Sequence, residues 1–334
     1  MGMITEQVKI GNLELNGRII MPPMGTYKCD ASGFVTDEVI DYYRERAKNP
    51  HIGLIITEHT YISKKGKAKA NQMSIAEDDK LPGLKRLVDA IHAEGTPVFA
   101  QLNFAGSASP SEVTGSRALA PSAVVLPTTP RMGDETAPKE MTEEEISEVI
   151  TAFVAAARRA KNAGYDGIEI HSAHAYLLNQ FYSPLTNHRT DAYGGTLENR
   201  LRIHREVLRA VRAEVGADYP ISVRLGGYDD MDGGNTLEDA VKAAKIIAAE
   251  GIELLSLTGG MCRYLRKGHS EPGYFGDMSA AVRKEVSVPV LLTGGVKTLD
   301  DAEKLIAEDI ADFIGVGRPL LSKADWMMQP ESVL

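Results

Sequence analysis

Eight short apolar runs recur along this chain, and each is followed by enough sequence for a helix. They are Arg18–Pro22, Ile52–Thr57, Pro97–Leu102, Gly167–His171, Ile221–Leu225, Glu253–Thr258, Val288–Thr293 and Asp312–Val316. Several are rich in β-branched and other apolar side chains, as expected of strands buried on both faces. Strict alternation of such runs with amphipathic stretches marks a parallel α/β architecture. Eight of them predict a closed (β/α)8 TIM barrel, one domain over residues 1–334. The competing architecture is an open doubly wound sheet, but no Gly-x-Gly-x-x-Gly turn follows the first run.

Local signals agree with this reading. Thr142-Glu143-Glu144-Glu145 is a capping box for a helix reaching about Lys161. Thr236 and Thr298 open later helices, with Asp239 and Asp301 favouring the first turn through the helix dipole. The segment Asn12–Gly17 reads as a turn, within a small hairpin closing the barrel bottom. Asn103 to Met141, rich in Ser, Pro, Thr and Gly, is too long for a simple connection. Long excursions of this kind are usually functional. This one follows the third strand and is expected over the catalytic mouth.

Composition narrows the function class. A net charge of −9 argues against a nucleic-acid partner, since phosphate binding wants a basic face. The two cysteines, Cys29 and Cys262, form no CxxC pair, which excludes zinc-ribbon and iron–sulfur motifs and fits a reducing cytosol. Met1–Glu6 does not read as a signal peptide, and no apolar run reaches membrane-spanning length. A cytoplasmic enzyme with a small-molecule substrate is expected, with no membrane partner. A homo-oligomer is left open.

Active sites of such barrels gather at the carboxyl ends of the strands. After the first run come Pro23, Met24, Gly25, Thr26 and Tyr27. The second leads into Glu58-His59-Thr60, the third ends with Gln101, and the fifth carries Arg224. The seventh and eighth end in Thr293-Gly294-Gly295 and Gly315-Val316-Gly317-Arg318. Paired glycine turns there let backbone N–H groups approach a phosphate, with Arg318 adding donors. Many phosphorylated substrates or cofactors would suit them. A buried Arg224 needs an anion or polarised acceptor, unless it pairs internally with Glu169 or Asp229. His171, His174 and Tyr176 lie at or just past the fourth strand. Two histidines can donate to one carbonyl or nitro oxygen, and a phenol can protonate a carbanion-like carbon. His-x-x-His can also bind zinc, but no convincing third ligand accompanies it.

The stretch Gly164–His174 and its continuation through Tyr176–Phe181, Ser183–Asn187, Arg189–Asp191, Tyr193–Gly195 and Glu198–Arg200 resembles the Old Yellow Enzyme family of FMN-dependent ene-reductases. The resemblance spans about Val8 to Trp326. It implies FMN as cofactor and NADH or NADPH as donor. His171 and His174 would bind the oxygen of an α,β-unsaturated carbonyl or nitro compound, and Tyr176 would donate the proton. Gln101 and Arg224 would contact the flavin's pyrimidine edge, and Pro23 with Met24, Gly25 and Thr26 would flank its ring. Gly294, Gly295, Gly317 and Arg318 would hold the phosphate, while Tyr27 would face the substrate.

Several residues depart from the family pattern. Gly25 falls where relatives often carry Thr or Cys. Asn103-Phe104-Ala105-Gly106-Ser107 replaces a more usual Trp-His-Ala-Gly-Arg, Ala175 replaces a common Gly, and His59 is unusual. His59 reads equally well as a neighbour of the flavin or as an exposed loop histidine. Two other functions compete: a non-flavin barrel aldolase or isomerase acting on a phosphorylated substrate, and a flavin electron-transfer protein.

Overall fold

The structure, a computed structural model, describes residues 2–127, 133–134 and 136–325. Trp326, the last residue of the resemblance, and part of the 103–141 excursion lie outside that range. Among the described residues, twelve strands follow one another along the chain. They are β1 (Val8–Ile10), β2 (Leu13–Leu15), β3 (Ile19–Met21), β4 (Ile52–Tyr61), β5 (Val98–Asn103) and β6 (Leu119–Ala120), then β7 (Lys139–Glu140), β8 (Gly167–Ser172), β9 (Ile221–Gly226), β10 (Leu254–Thr258), β11 (Val290–Thr293) and β12 (Phe313–Gly315). Eight of them, β3, β4, β5, β8, β9, β10, β11 and β12, close into a parallel barrel in that order. Each coincides with one of the eight apolar runs.

The second barrel strand is longer than its apolar run. β4 continues through Glu58-His59-Thr60 to Tyr61, and every residue in it is buried. Its register with β5 slips there, Thr57 facing Ala100 but Thr60 facing Leu102. One extra residue on β4 makes a bulge, a device that re-aims side chains beside active sites. The backbone N–H of Glu58 finds a partner at the bulge, donating to the Tyr43 hydroxyl at 2.7 Å. The Glu58 carbonyl accepts from the Thr60 hydroxyl at 2.9 Å and the His59 carbonyl from the Gln72 amide at 3.0 Å, so side chains satisfy the backbone of this polar pair within the sheet.

The barrel bottom is closed by the β1–β2 hairpin. Ile10 and Leu15 pack beneath Ile20, Leu54, Ile56, Phe99, Leu254, Leu291 and Phe313. The turn is shorter than expected: Gly11 adopts φ +58°, and Leu13–Leu15, placed in a turn by the sequence reading, is the second strand. The helix caps are stronger than a dipole argument requires. Thr142 and Glu145, Thr236 and Asp239, and Thr298 and Asp301 all form reciprocal capping boxes. The first opens the helix Glu143–Ala163, which ends on Gly164 at φ +92°.

The 103–141 excursion is not structureless. It carries a helix at Ser111–Thr114, and its middle is tied to its far end by parallel pairing of β6 with β7. Ala105, Ala108 and Leu126 pack against Ala175 and Tyr176, so the segment braces the loop after β8 from behind. Among the described residues, no helix is long and apolar enough to cross a membrane.

Candidate active site

A cavity of about 600 Å³ opens at the carboxyl ends of the barrel strands. Its wall includes Pro23, Met24, Gly25, Tyr27, Gln101, His171, His174, Tyr176, Arg224, Gly294, Gly295, Gly317 and Arg318. Residues scattered over nearly three hundred positions of sequence thus meet in one place, because each ends a strand of the same barrel. Of the expected residues only Thr26 stands back from the wall. Its N–H and hydroxyl both donate to the buried Glu58 carboxylate, which anchors the loop after β3 to β4.

The loop after β8 sets three rings at right angles or nearly so. His171 lies 5.3 Å from His174 and 5.0 Å from Tyr176, ring centre to ring centre. The chain achieves this with two successive left-handed residues, His174 at φ +58° and Ala175 at φ +63°. Each costs roughly 1–2 kcal/mol for a residue bearing a Cβ. The neighbouring helix Leu177–Tyr182 offsets part of that. Asn179 accepts from the Ala175 N–H at 2.8 Å, and Gln180 donates to the Ala175 carbonyl at 2.6 Å. A glycine at 175 would adopt this turn without strain.

Burial, reinforced by the nearby Arg224 charge, holds both histidines well below the ordinary imidazole range, so both are neutral at pH 7. His174 Nε2 lies 3.0 Å from the Thr258 hydroxyl. A hydroxyl donating there leaves the ring proton on Nδ1. His171 Nδ1 is buried and has no partner. Burial also pushes the Tyr176 phenol far above its ordinary value, keeping it protonated. Behind them, Ser172 bonds His204 Nε2 at 2.7 Å, fixing the end of β8 against the helix Arg202–Val215.

Arg224 on β9 and Glu169 on β8 form a buried polar centre, 3% and 0% exposed. Burial pushes the Glu169 carboxyl up and the Arg224 guanidinium down, and each charge partly offsets the other's shift. Gln101 donates to Glu169 through Nε2 at 2.8 Å, and Ser222 donates at 3.1 Å. This fixes the Gln101 amide, leaving its carbonyl oxygen to accept a bond elsewhere. Asp229, the other suggested partner of Arg224, is bound instead by Ser183 and by the backbone of Asn235 and Met261. Arg224 Nε remains buried and unsatisfied, as does the Thr293 hydroxyl. Unmet buried polar atoms on a cavity wall call for a polar ligand.

The glycine turns after β11 and β12 are tight. Gly295 holds φ +73°, and a Cβ there would stand 2.3 Å from the Glu271 carbonyl oxygen. At Gly317 a Cβ would make ordinary contacts, 3.4 Å from Met24 Sδ and 3.6 Å from Pro22 Cγ, and Arg318 reaches within 3.5 Å of the Tyr274 hydroxyl. Lys297 adds a second cation to this end of the cavity.

Sequence reasoning left His59 open and did not single out Thr258, Arg263 or Tyr264. The β4 bulge places His59 on the cavity wall, its ring stacked 5.4 Å from Tyr176. Its tautomer follows from its neighbours. The Ala68 N–H donates to Gln72 Oε1 at 2.7 Å, so the Gln72 amide nitrogen faces His59 Nδ1 at 2.8 Å. Nδ1 therefore accepts, and the ring proton sits on Nε2. Burial lowers this imidazole to about 4, so it is a neutral donor. At Gly25 a Cβ would fall 2.7 Å from the Tyr27 ring, which occupies the space a side chain would fill. No third histidine, cysteine or carboxylate joins His171 and His174 in a metal-holding group among the described residues.

The chain has known counterparts. A model of the NADH:flavin oxidoreductase / NADH oxidase family matches residues 4–334. The chain is 40% identical to a NADH oxidase from Thermoanaerobacter brockii over 95% of its own length and 49% of that protein's. It therefore spans about half of that relative. It is 37% identical to a NADPH dehydrogenase from Halalkalibacterium halodurans, covering 95% of this chain and 90% of the relative. Among solved structures, an old yellow enzyme homologue from Zymomonas mobilis superposes with a TM-score of 0.84 at 30% identity, covering 96% of this chain and 90% of the other.

Proposed function

Because the chain belongs to the NADH:flavin oxidoreductase / NADH oxidase family, whose cofactor is FMN, we propose that it reduces the C=C bond of α,β-unsaturated carbonyl or nitro compounds with electrons from NADH or NADPH. The observation that carries this reading is the convergence of two neutral histidines, a protonated tyrosine and an unsatisfied buried arginine on one cavity.

The residues fit a flavin. Arg224 Nε and the free carbonyl oxygen of Gln101 are a donor and an acceptor side by side, as a pyrimidine edge requires. Pro23, Met24, Gly25 and the backbone at Thr26 would flank the ring. Gly294, Gly295, Gly317 and Arg318 would hold the phosphate. Bound FMN supplies two-electron chemistry, accepting hydride from a nicotinamide and releasing it to a polarised double bond.

The protein's own part is polarisation and proton delivery. His171 and His174 donate to the substrate oxygen, where negative charge develops during reduction. Being neutral, they polarise without giving up a proton. Tyr176 holds its proton at the phenol oxygen until the α-carbon becomes basic enough to take it. The same cavity serves donor and oxidant in turn, so no separate nucleotide-binding fold is needed.

The test is a two-step anaerobic experiment. The FMN-loaded protein is reduced with NADH or NADPH and mixed with cyclohexenone, an enal, a maleimide or a nitroalkene. Reoxidation with saturated product is expected from at least one class. Reoxidation by none of them, with transfer only to one-electron acceptors, would replace this reading with an electron-transfer role.

A further inference from the structure

Arg263 stands on the cavity wall in the loop after β10. Its backbone is left-handed, φ +64°, a strained conformation for a residue with a side chain. Its Nε is buried without a partner, and no carboxylate pairs with it among the described residues. The contrast with Arg266, three residues on, is direct. Arg266 bridges Asp277 at 3.1 Å and lies over the Tyr228 ring. Arg263 has only the Tyr264 ring, 5.2 Å away, and Tyr264 in turn meets the edge of His174 at 6.0 Å. The guanidinium is also close enough to act electrostatically on Tyr27, His174 and Tyr176. A strained loop thus holds an unpaired cation beside the residues assigned to the reaction. It is distinct from Arg224 at the barrel centre and from Lys297 and Arg318 at the glycine turns.

We propose that Arg263 is an oxyanion subsite for the oxidising substrate, which would carry a carboxylate in addition to the carbonyl held by His171 and His174. This rests on the ene-reductase reading and narrows it to anionic unsaturated compounds. The same chemistry is offered by the phosphates of the nicotinamide donor, and the test separates the two. The matched probes are 4-oxopent-2-enoate and its methyl ester, compared for wild type, Arg263→Gln and Arg263→Lys. A charge-assisted hydrogen bond is worth enough to change affinity about tenfold to a hundredfold. Arg263→Gln should therefore lower the acid-to-ester ratio of kcat/KM at least tenfold, mainly through KM, and Arg263→Lys should restore part of it. Unchanged selectivity would overturn the proposal. So would weakened NADH or NADPH binding at constant acid-to-ester ratio, which would assign the oxyanion to the donor. If neither probe is reduced by wild type, the ene-reductase reading stands or falls on the enone, enal, maleimide and nitroalkene test above. Binding of 4-hydroxybenzoate and methyl 4-hydroxybenzoate, read from the absorbance of the oxidised flavin, then tests Arg263 separately. Selective loss of the acid in Arg263→Gln supports the subsite, and equal effects on both refute it.

Discussion

Acid should expose the burial of His204. This imidazole lies behind the active site with Nε2 on the Ser172 hydroxyl, and burial lowers it to about 3. In the unfolded chain it titrates near 6.5. The folded value is the lower one, so the unfolded chain binds the proton first. The stability tied to neutral His204 is complete above about pH 7 and declines as pH falls through 6.5 towards 3. The slope is about 1.4 kcal/mol per pH unit, or about 2 kcal/mol between pH 7 and pH 5. Comparison with His204→Asn isolates this one titration from every other. The variant should be less stable at pH 8 by about 1–2 kcal/mol, through the lost hydrogen bond and packing. That deficit should shrink by about 2 kcal/mol between pH 7 and pH 5, because only wild type loses this increment. Urea unfolding of both proteins at half-unit pH intervals measures the difference directly. A deficit that does not change with pH would mean that His204 titrates alike in folded and unfolded chains, and the burial argument would be wrong.

Three further outcomes follow from the site. Tyr176→Phe should slow reoxidation by an enone by about 10²–10⁴-fold while leaving reduction by NAD(P)H much less affected; stopped-flow traces showing equal losses would remove Tyr176 from proton delivery. Glu169→Gln removes the carboxylate whose charge offsets that of buried Arg224 and should destabilise the protein by about 1–3 kcal/mol, seen as a lower urea midpoint; an unchanged midpoint would refute that electrostatic support. Gly295→Ala forces a Cβ against the Glu271 carbonyl at positive φ and should release FMN at least tenfold more readily, measured by the fluorescence of free flavin. Retention equal to wild type would detach this turn from the phosphate.

The barrel was legible because its signal is periodic and repeated. Eight apolar runs became eight strands, and the ends of those strands located the cavity. What escaped was irregular. The apolar run of β4 stops at Thr57, and nothing local announces that a bulge carries Glu58 and His59 onward in the sheet. His59 is a donor because of Gln72, whose orientation depends on the Ala68 backbone, a three-body dependence that no spacing rule reveals. Arg263 sits in a loop without motif, and its unpaired state appears only when every nearby acid is placed. Arg224 shows the reverse case: an internal partner and an open donor looked like alternatives in sequence, yet the Glu169 charge partly offsets its burial while Nε stays free.

The missing side chain at residue 25 has a consequence for any attempt to re-engineer this pocket. Tyr27 leans into the room that a Thr or Cys would occupy, so positions 25 and 27 act as one mechanical unit. A larger residue at 25 must evict a ring that is itself 45% exposed and able to swing outward. With the flavin and substrate placed as proposed above, a single substitution would then confound two properties, the electronic surroundings of the flavin and the shape of the substrate entrance. Transplanting a relative's residue at 25 alone would import a side chain and, unasked, open a door. Only a square of variants, with 25 and 27 changed separately and together, can tell the tuning from the gating.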